Sequence, residues 1–225
     1  MKKLFILLSI LFSFNVIYAA DFVIGFMGSF GASSATTERD KIFTTDFRDF
    51  DSSFSIQPGI FWGYNDLLSS AFLLDIGYSK DRYELKYNIK GNKVLENYKF
   101  SSLSLGLFPR INIGFLSIGV GGGIKLPLAL KYSREEKGYD KNKYSLDFGD
   151  IKDSFETYYI PYVKASVDFL IKTKRKFMFS FGVYANYDFP INIDKKGILK
   201  DITINQDSLA SFDIGIQFGM YFLSK

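Results

Sequence analysis

The sequence lacks both cysteine and histidine among its 225 residues. Without cysteine the chain can form no disulfide, no thiolate metal site and no lipid anchor through an N-terminal cysteine. Without histidine it lacks the side chain that most often acts as a general base or proton shuttle near neutral pH. We therefore expect no enzyme, no metal site and no cofactor.

Long apolar runs and clustered charge are also missing. No run of roughly 18 apolar residues follows Ala20, so no membrane-spanning helix is predicted after that residue. The 28 basic and 24 acidic residues leave a formal charge of only +4. We expect no nucleic-acid partner, because nucleic-acid binding needs basic residues gathered on one face.

The N-terminal residues have the pattern of an export signal. Lys2 and Lys3 precede the apolar run 4–14, and the small residues Ala19 and Ala20 follow it. This arrangement predicts a secretory signal peptide over residues 1–20, cleaved after Ala19 or Ala20. A retained N-terminal membrane helix is the alternative, and the polar interruptions before the small residues disfavour it.

Eight segments of the remaining domain, residues 21–225, alternate apolar and polar side chains with a period of two, which is typical of half-buried strands. They cover residues 22–31, 54–64, 72–79, 102–108, 116–132, 159–169, 177–189 and 211–222. One face of each segment is apolar and uncharged, whereas the other carries glycine, serine and charged residues. A basic side chain facing lipid costs about 2–4 kcal/mol at the bilayer midplane. We therefore interpret the apolar face as lipid-facing and the polar face as lining a lumen.

The connections between these segments alternate in length. The short ones are 65–70, 109–115 and 170–176, and the long ones are 32–53, 80–99, 133–157 and 190–208. Short turns at one rim and long loops at the other are typical of outer-membrane barrels, whose short turns face the periplasm. The predicted fold is therefore all-β: an eight-stranded antiparallel up-and-down transmembrane β-barrel with short periplasmic turns and long extracellular loops. The connection 80–99 leaves room for extended strand ends.

The strand rhythm and the last segment resemble the eight-stranded outer-membrane β-barrel superfamily, the OmpA/OmpX-like architecture. The resemblance covers Asp21 to the C-terminus and rests on the architecture and on the terminal strand Ser211–Phe222. It implies a place in the bacterial outer membrane and recognition of the aromatic end of that strand by the barrel assembly machinery. Three further residues follow Phe222, which departs from the usual end of the family.

Charged residues on the polar face are predicted to pair inside the lumen, because eight strands leave an interior just wide enough for side chains to fill. This lumen network is predicted to contain Asp75, Lys125, Lys131, Lys164, Asp168, Asp188 and Asp213. We interpret it as a structural plug and not as a conducting path.

Aromatic residues at the ends of the segments predict two girdles at the depth of the lipid headgroups. The periplasmic girdle is predicted to contain Trp62, Tyr64, Phe115, Phe169, Phe177 and Phe222. The outer girdle is predicted to contain Phe30, Phe54, Tyr78, Tyr132, Tyr159 and Phe189.

Three local patterns receive structural interpretations. The glycine run 119–123 fits barrel curvature better than a phosphate-binding loop, because it lies inside a strand segment. The acidic stretch 140–153 is interpreted as a solvated loop, since it does not match the spacing of a calcium loop. The basic tract 172–176 is interpreted as a solubilising turn.

These features favour a surface protein that is structural, or that contacts host or other cells through its long loops. Its expected partners are outer-membrane lipids, the assembly machinery and ligands of host or other cell surfaces. A small channel or uptake porin is one alternative, and it requires an open lumen or ten strands instead of eight. A secreted soluble lipocalin-like barrel that binds an apolar ligand is another, and it requires apolar residues inside.

Overall fold

The computed structural model describes residues 20–36, 49–63, 67–89, 92–136, 142–173, 177–193 and 208–224. The predicted signal peptide lies outside these residues, apart from Ala20. No helix among the described residues has the length and apolar character needed to cross a bilayer.

Nine strands and one short helix form the described fold. The strands are β1 Ala20–Thr36, β2 Asp49–Gly63, β3 Leu68–Ile89, β4 Asn92–Ile113, β5 Leu116–Glu136, β6 Asn142–Asp147, β7 Ile160–Lys172, β8 Phe177–Asn192 and β9 Ser208–Leu223, and the helix is α1 Phe148–Ser154. Each strand of the ring is antiparallel to its neighbours, and β1 closes the ring by pairing with both β2 and β9. Eight strands form this ring, whereas β6 pairs only with β5. The predicted fold class is confirmed.

The two faces of the ring differ as the alternation predicts. Outward residues such as Phe22, Val183 and Phe218 expose about half of their surface, at 52%, 55% and 54%. Inward residues such as Ser117 and Asp168 are fully buried. Because side chains alternate between the faces of a strand, the period-two pattern separates lipid-facing from lumen-facing residues around the ring.

The two rims of the ring are built differently. At one rim, called the turn rim, the two-residue turn between β4 and β5 contains Gly114, whose φ of 61° is the left-handed conformation that glycine adopts easily. The first and last described strands also meet there, where Ser224 donates its backbone N–H to the carbonyl of Phe22. The connections from β2 to β3 and from β7 to β8 lie at the turn rim as well. The other rim, called the long-loop rim, carries the longer connections from β1 to β2, β3 to β4, β5 to β7 and β8 to β9.

Strands β3 and β4 extend far beyond the long-loop rim. Each has 22 residues, and their pairing continues from Leu68 with Ile113 up to Ile89 with Asn92. The predicted long connection 80–99 is therefore wrong as a loop: it is the upper half of a hairpin. Strands β3 and β4 are therefore longer than predicted, but no additional pair of strands enters the ring.

A β-bulge in β5 reverses the faces of that strand near the long-loop rim. Ser102 pairs with Pro127 but Ser101 pairs with Ala129, so Leu128 is the extra residue. Beyond it, Tyr132 is 1% exposed and points inward, whereas Lys131 is exposed and points outward. The predictions that Lys131 lies in the lumen and that Tyr132 belongs to the outer girdle are corrected by this bulge.

A second irregularity lies in β8 at the same rim. The register with β9 shifts by one residue between Asp188 and Ile191. As a result Phe189 is exposed at 41%, while Ile191, of the same sequence parity, is 2% exposed. Both shifts turn apolar residues from the outside of the ring to its inside.

An apolar core, called the cap, fills the ring at the long-loop rim. Seven of the eight ring strands contribute to it, together with β6, α1 and the segment after α1. Its members are Ala35, Tyr83, Leu85, Tyr98, Phe100, Leu130, Tyr132, Leu146, Ile151, Phe155, Ile160, Ile191, Ile193 and Leu209. A smaller apolar cluster near the turn rim contains Val23, Met27, Ala71, Leu73, Phe108, Met178 and Tyr221.

Candidate functional site: a charged lumen below an apolar cap

The lumen contains a buried ion pair near the turn rim. Arg110 of β4 contacts the carboxylate of Asp168 on β7, and both side chains are almost fully buried, at 3% and 0% exposed. Gln217 and Ser166 also donate hydrogen bonds to Asp168, at 2.7 and 2.8 Å. The carboxylate therefore has three partners, which is the arrangement a buried charge needs to offset its lost hydration.

A polar chain leads from this pair across the lumen. Arg110 donates to the hydroxyl of Tyr221 at 2.5 Å, and Tyr221 donates to the amide oxygen of Gln57 at 2.9 Å. The amide nitrogen of Gln57 then donates to Asp75 at 2.9 Å. Strands β2, β3, β4 and β9 are thus linked through side chains as well as through the backbone.

Lys164 lies inside the ring between two aromatic side chains. Its ammonium is 4.8 Å from the ring centre of Tyr184 and 5.9 Å from that of Phe108. Cation–π contacts of this kind stabilise a cation that has left water.

A second charged cluster lies closer to the cap. The ammonium of Lys125 is 2.7 Å from Asp81 and 2.9 Å from Asp188, and all three residues are buried. Tyr83, itself part of the cap, donates to Asp188 at 2.9 Å. Asn186 bridges Asp188 and Asp213, donating at 3.0 and 3.2 Å.

Carboxylates outnumber bases around this cluster. Asp51 is 4% exposed and accepts the backbone N–H of Arg82 at 2.8 Å. A cavity of about 40 Å³ lies between the charged side chains, lined by Asp51, Asp75, Asp81, Asp213, Lys125 and Lys164 together with serines and tyrosines. A cavity of that volume has room for a few water molecules.

The structure brings together most of the predicted lumen residues. Asp75, Lys125, Lys164, Asp168, Asp188 and Asp213 line or fill the lumen, whereas Lys131 does not. The partner of Asp168 is Arg110, which sequence analysis placed in a short connection. Continuing the alternation of β4 by two residues beyond Phe108, and that of β3 by two beyond Ser79, would have found Arg110 and Asp81.

A third group of charged residues, centred on a buried carboxylate, lies within the cap. Glu96 of β4 is fully buried and accepts hydrogen bonds from Tyr132 at 3.0 Å and Tyr98 at 3.2 Å. Arg134 lies 3.9 Å from the same carboxylate. Tyr132 therefore packs in an interior network instead of facing lipid.

The other girdle residues that are described lie on the outer face near one rim or the other. Near the turn rim, Phe177 packs edge-on to Phe222 at 5.0 Å and Phe115 stacks on Phe169 at 5.9 Å, while Trp62 is half-buried. Near the long-loop rim, outward exposed rings belong to Phe30, Phe54, Tyr78, Tyr159 and Phe189. Tyr64 lies outside the described residues.

Two residues of the acidic stretch 140–153 cap the N-terminus of α1. Asp147 accepts the backbone N–H of Asp150 at 3.0 Å, and Asp150 accepts that of Asp147 at 3.1 Å, which forms a capping box at the start of α1. Within the described part of the chain, no group of three or more carboxylates is arranged to hold a metal ion.

A closed ring of eight antiparallel strands, apolar outside and charged inside, is a transmembrane β-barrel of the outer-membrane type. No family model matches the chain, and no curated protein matches it.

Solved structures that match are similar at low sequence identity. Ail, the attachment invasion locus protein of Yersinia pestis, solved with the heparin analogue sucrose octasulfate, is 9% identical with a TM-score of 0.37, covering 88% of this chain and 99% of its own. Neisserial surface protein A is 13% identical with a TM-score of 0.36, covering 91% and 98%. A major outer membrane protein from Thermus thermophilus is 10% identical with a TM-score of 0.40, covering 92% and 100%.

Proposed function

We propose that this chain is a non-conducting barrel of the bacterial outer membrane that presents a rigid extracellular platform for contact with other surfaces. The observation that carries the proposal is the filling of the lumen. Ion pairs and hydrogen bonds occupy the middle of the lumen, and apolar side chains fill it at each end. An ion crossing such an interior would have to displace packed aromatic rings.

The platform consists of the upper β3–β4 hairpin, β6, α1 and the segment 155–159 that follows α1. The cap below holds these elements in place, since Leu146 and Ile151 are each 1% exposed. The platform presents the exposed aromatic residues Phe148 and Tyr158, whose rings meet edge to face at 6.5 Å. Loops held on a rigid scaffold commonly carry specific binding, and aromatic residues are enriched in recognition surfaces.

Location is tested by cell fractionation followed by protease treatment of intact cells. We expect the protein in the outer-membrane fraction, with cleavage confined to the connections of the long-loop rim. Recovery as a folded, detergent-free protein from the aqueous fraction would contradict the membrane location and favour the lipocalin-like alternative.

Conductance is tested with refolded protein in planar lipid bilayers. We expect no discrete current steps from a preparation that has passed the heat-modifiability test for folded barrels. Regular steps that disappear in a Lys125→Ala variant would instead assign the lumen as a channel.

Surface contact is tested by displaying the protein on non-adherent bacteria and counting the bacteria that bind cultured epithelial cells. We expect the double variant Phe148→Ala with Tyr158→Ala to bind several-fold less than wild type. The matched control is Phe169→Ala with Phe115→Ala, an exposed aromatic pair at the opposite rim. Equal binding by both double variants and wild type would reject the platform as the contact surface.

A further inference from the structure

Basic residues replace apolar ones on the outer face of the ring just beyond the lipid-facing band. On β3 the outward side chains change from Tyr78 to Lys80 and Arg82, and on β4 they change from Leu103 to Lys99. On β5 the bulge at Leu128 places Lys131 outward at the same level.

The strand register places these cations side by side. Arg82 pairs with Lys99, and Lys99 pairs with Lys131, so three basic residues lie opposite one another on adjacent strands. On β6, Lys143 pairs with Ser133, the next outward residue of β5 after Lys131. We call this group the basic belt: Arg82, Lys99, Lys131 and Lys143.

The belt is an unfavourable arrangement for the barrel alone. Like charges directly opposite each other on neighbouring strands are destabilising. Within the described residues, no carboxylate lies at ion-pair distance from Lys99, Lys131 or Lys143. Such a cluster is stabilised when an external anion neutralises it.

The belt also borders a concave surface. An open groove of about 450 Å³ runs along β4, β5 and β6, and Lys99, Lys131 and Lys143 all line it. Leu95 contributes apolar surface to the same groove, and Glu135 is the one carboxylate-bearing residue among its lining residues, against three lysines. A ligand with both anionic groups and a bulky body matches this lining.

We propose that the basic belt binds the phosphate groups of anionic lipid headgroups in the outer leaflet. This inference rests on the proposed membrane location. Lys99 lies four residues beyond the apolar Leu103, which is about 13 Å along a strand and about 10 Å in depth when the strand is tilted. A lysine side chain at that height reaches back to the headgroup layer.

Depth favours a lipid over a soluble sulfated polysaccharide. A polysaccharide would be met farther from the membrane, at the upper ends of the β3–β4 hairpin. There the outward face of β3 carries Glu84, paired with Lys86 at 2.8 Å, so the positive charge is already offset. Lys99, Lys131 and Lys143, which pair with no carboxylate among the described residues, lie at the height of the headgroups.

The test is native mass spectrometry of the refolded barrel released from neutral detergent micelles. The added probes are a bisphosphorylated glycolipid, the same glycolipid with its phosphates removed, heparin, and inorganic phosphate. We expect wild type to retain the phosphorylated glycolipid and to lose the dephosphorylated form. Since one basic residue near an anionic membrane contributes about a fivefold gain in affinity, the triple variant Lys99→Gln, Lys131→Gln, Lys143→Gln should bind roughly a hundredfold more weakly.

The matched control replaces three exposed lysines outside the belt, Lys93, Lys152 and Lys172, with glutamine. Equal loss of binding in both variants would overturn the proposal, because the effect would then follow net charge. Retention of heparin but not of the glycolipid would assign the belt to a polysaccharide, and full competition by inorganic phosphate would assign it to a free anion. Either result overturns the lipid assignment.

If the triple variant does not fold, measurements on the wild-type protein still test the proposal. Glycolipid binding must fall with rising salt, because the contacts are screened over about 10 Å at 0.1 M ionic strength, and it must require the phosphates. Glycolipid binding that depends neither on the salt concentration nor on the phosphate groups overturns the inference. A barrel that inserts and folds without retaining the glycolipid defeats this inference alone, whereas failure to reach the membrane defeats the proposed function.

Discussion

The lower and upper halves of the strands place apolar and charged side chains on opposite faces. At the level of the apolar band, the ring has Val183 and Phe218 outside and the pair of Arg110 and Asp168 inside. At the long-loop rim, the inside is the mainly apolar cap around the buried Glu96, and the outside carries the basic belt. The lower half is therefore arranged for lipid, and the upper half is arranged for water.

The strands make this change in two ways. On β3 and β4 the sequence itself changes phase, so that the inward series passes from Asp81 to Tyr83 without any break in pairing. On β5 and β8 the apolar residues keep their parity, and a one-residue register shift turns them inward. Continuous pairing therefore serves two environments.

The two halves also differ in how they tolerate damage. Removing one member of a buried ion pair leaves an uncompensated charge, whereas trimming an apolar core loses contacts in proportion to the atoms removed. The lower half should thus respond sharply to single changes at a few positions, and the upper half more gradually at many.

The largest effect is expected from deleting Leu128 together with Ala129. This deletion removes the bulge residue and one more, so Leu130 and Tyr132 turn outward and Lys131 turns into the cap. Exposing those two side chains costs about 3–6 kcal/mol, measured by urea unfolding in detergent. Deleting Leu128 alone restores regular pairing with unchanged faces, so it should cost under about 1 kcal/mol. Equal effects of the two deletions would contradict the role of the bulge.

A somewhat smaller loss is expected from Asp168→Ala in the lower half. The change leaves Arg110 buried without its carboxylate, which costs about 3–5 kcal/mol. Replacing both partners, as Arg110→Met with Asp168→Leu, should recover much of the stability, because neither charge of this pair then remains without its partner. The measurement is the urea midpoint of the heat-modifiable form. A double variant with a lower urea midpoint than Asp168→Ala would argue that the buried, unpaired charge is not the cause of the lost stability.

The outer face of the lower half is probed by Val183→Lys. This residue is 55% exposed and lies midway along the lipid-facing part of β8, so a lysine there should cost about 2–4 kcal/mol in a bilayer. Asn97→Lys places the same side chain outward on β4 above the band, beside Glu84, and should cause no loss. The stabilities of the Val183→Lys and Asn97→Lys variants are compared by refolding each into lipid vesicles at increasing urea concentrations. Equal tolerance of both lysines would refute the lipid-facing assignment.

The smallest effect is expected from Asp147→Ala at the start of α1. Loss of the N-cap costs about 1 kcal/mol, and it should loosen the platform without changing the lower barrel. Limited proteolysis should then cut near α1 faster, while the global urea midpoint stays unchanged. Asp153→Ala, at an exposed position of the same helix, is the control and should leave the cleavage rate unchanged.

Much of the lower half follows from sequence alone, because lipid demands an uncharged outward face on every strand. The eight strands, their faces and six of the seven lumen residues are predicted by that demand. The upper half is harder, since neither face there has to be uniformly apolar. The inward turn of Tyr132 depends on a register shift against β4, and register is a property of two strands that no single strand records. Arg110 was missed for a simpler reason: its strand continues into residues that were assigned to a turn.

Trp62 is the chain's one tryptophan, and its place at the turn rim makes it a natural optical probe. Its emission should shift to shorter wavelength when the turn rim reaches the lipid interface. The same emission should not change with events at the cap, which lies at the opposite end of the barrel. Intrinsic fluorescence thus times insertion separately from closure of the opposite end.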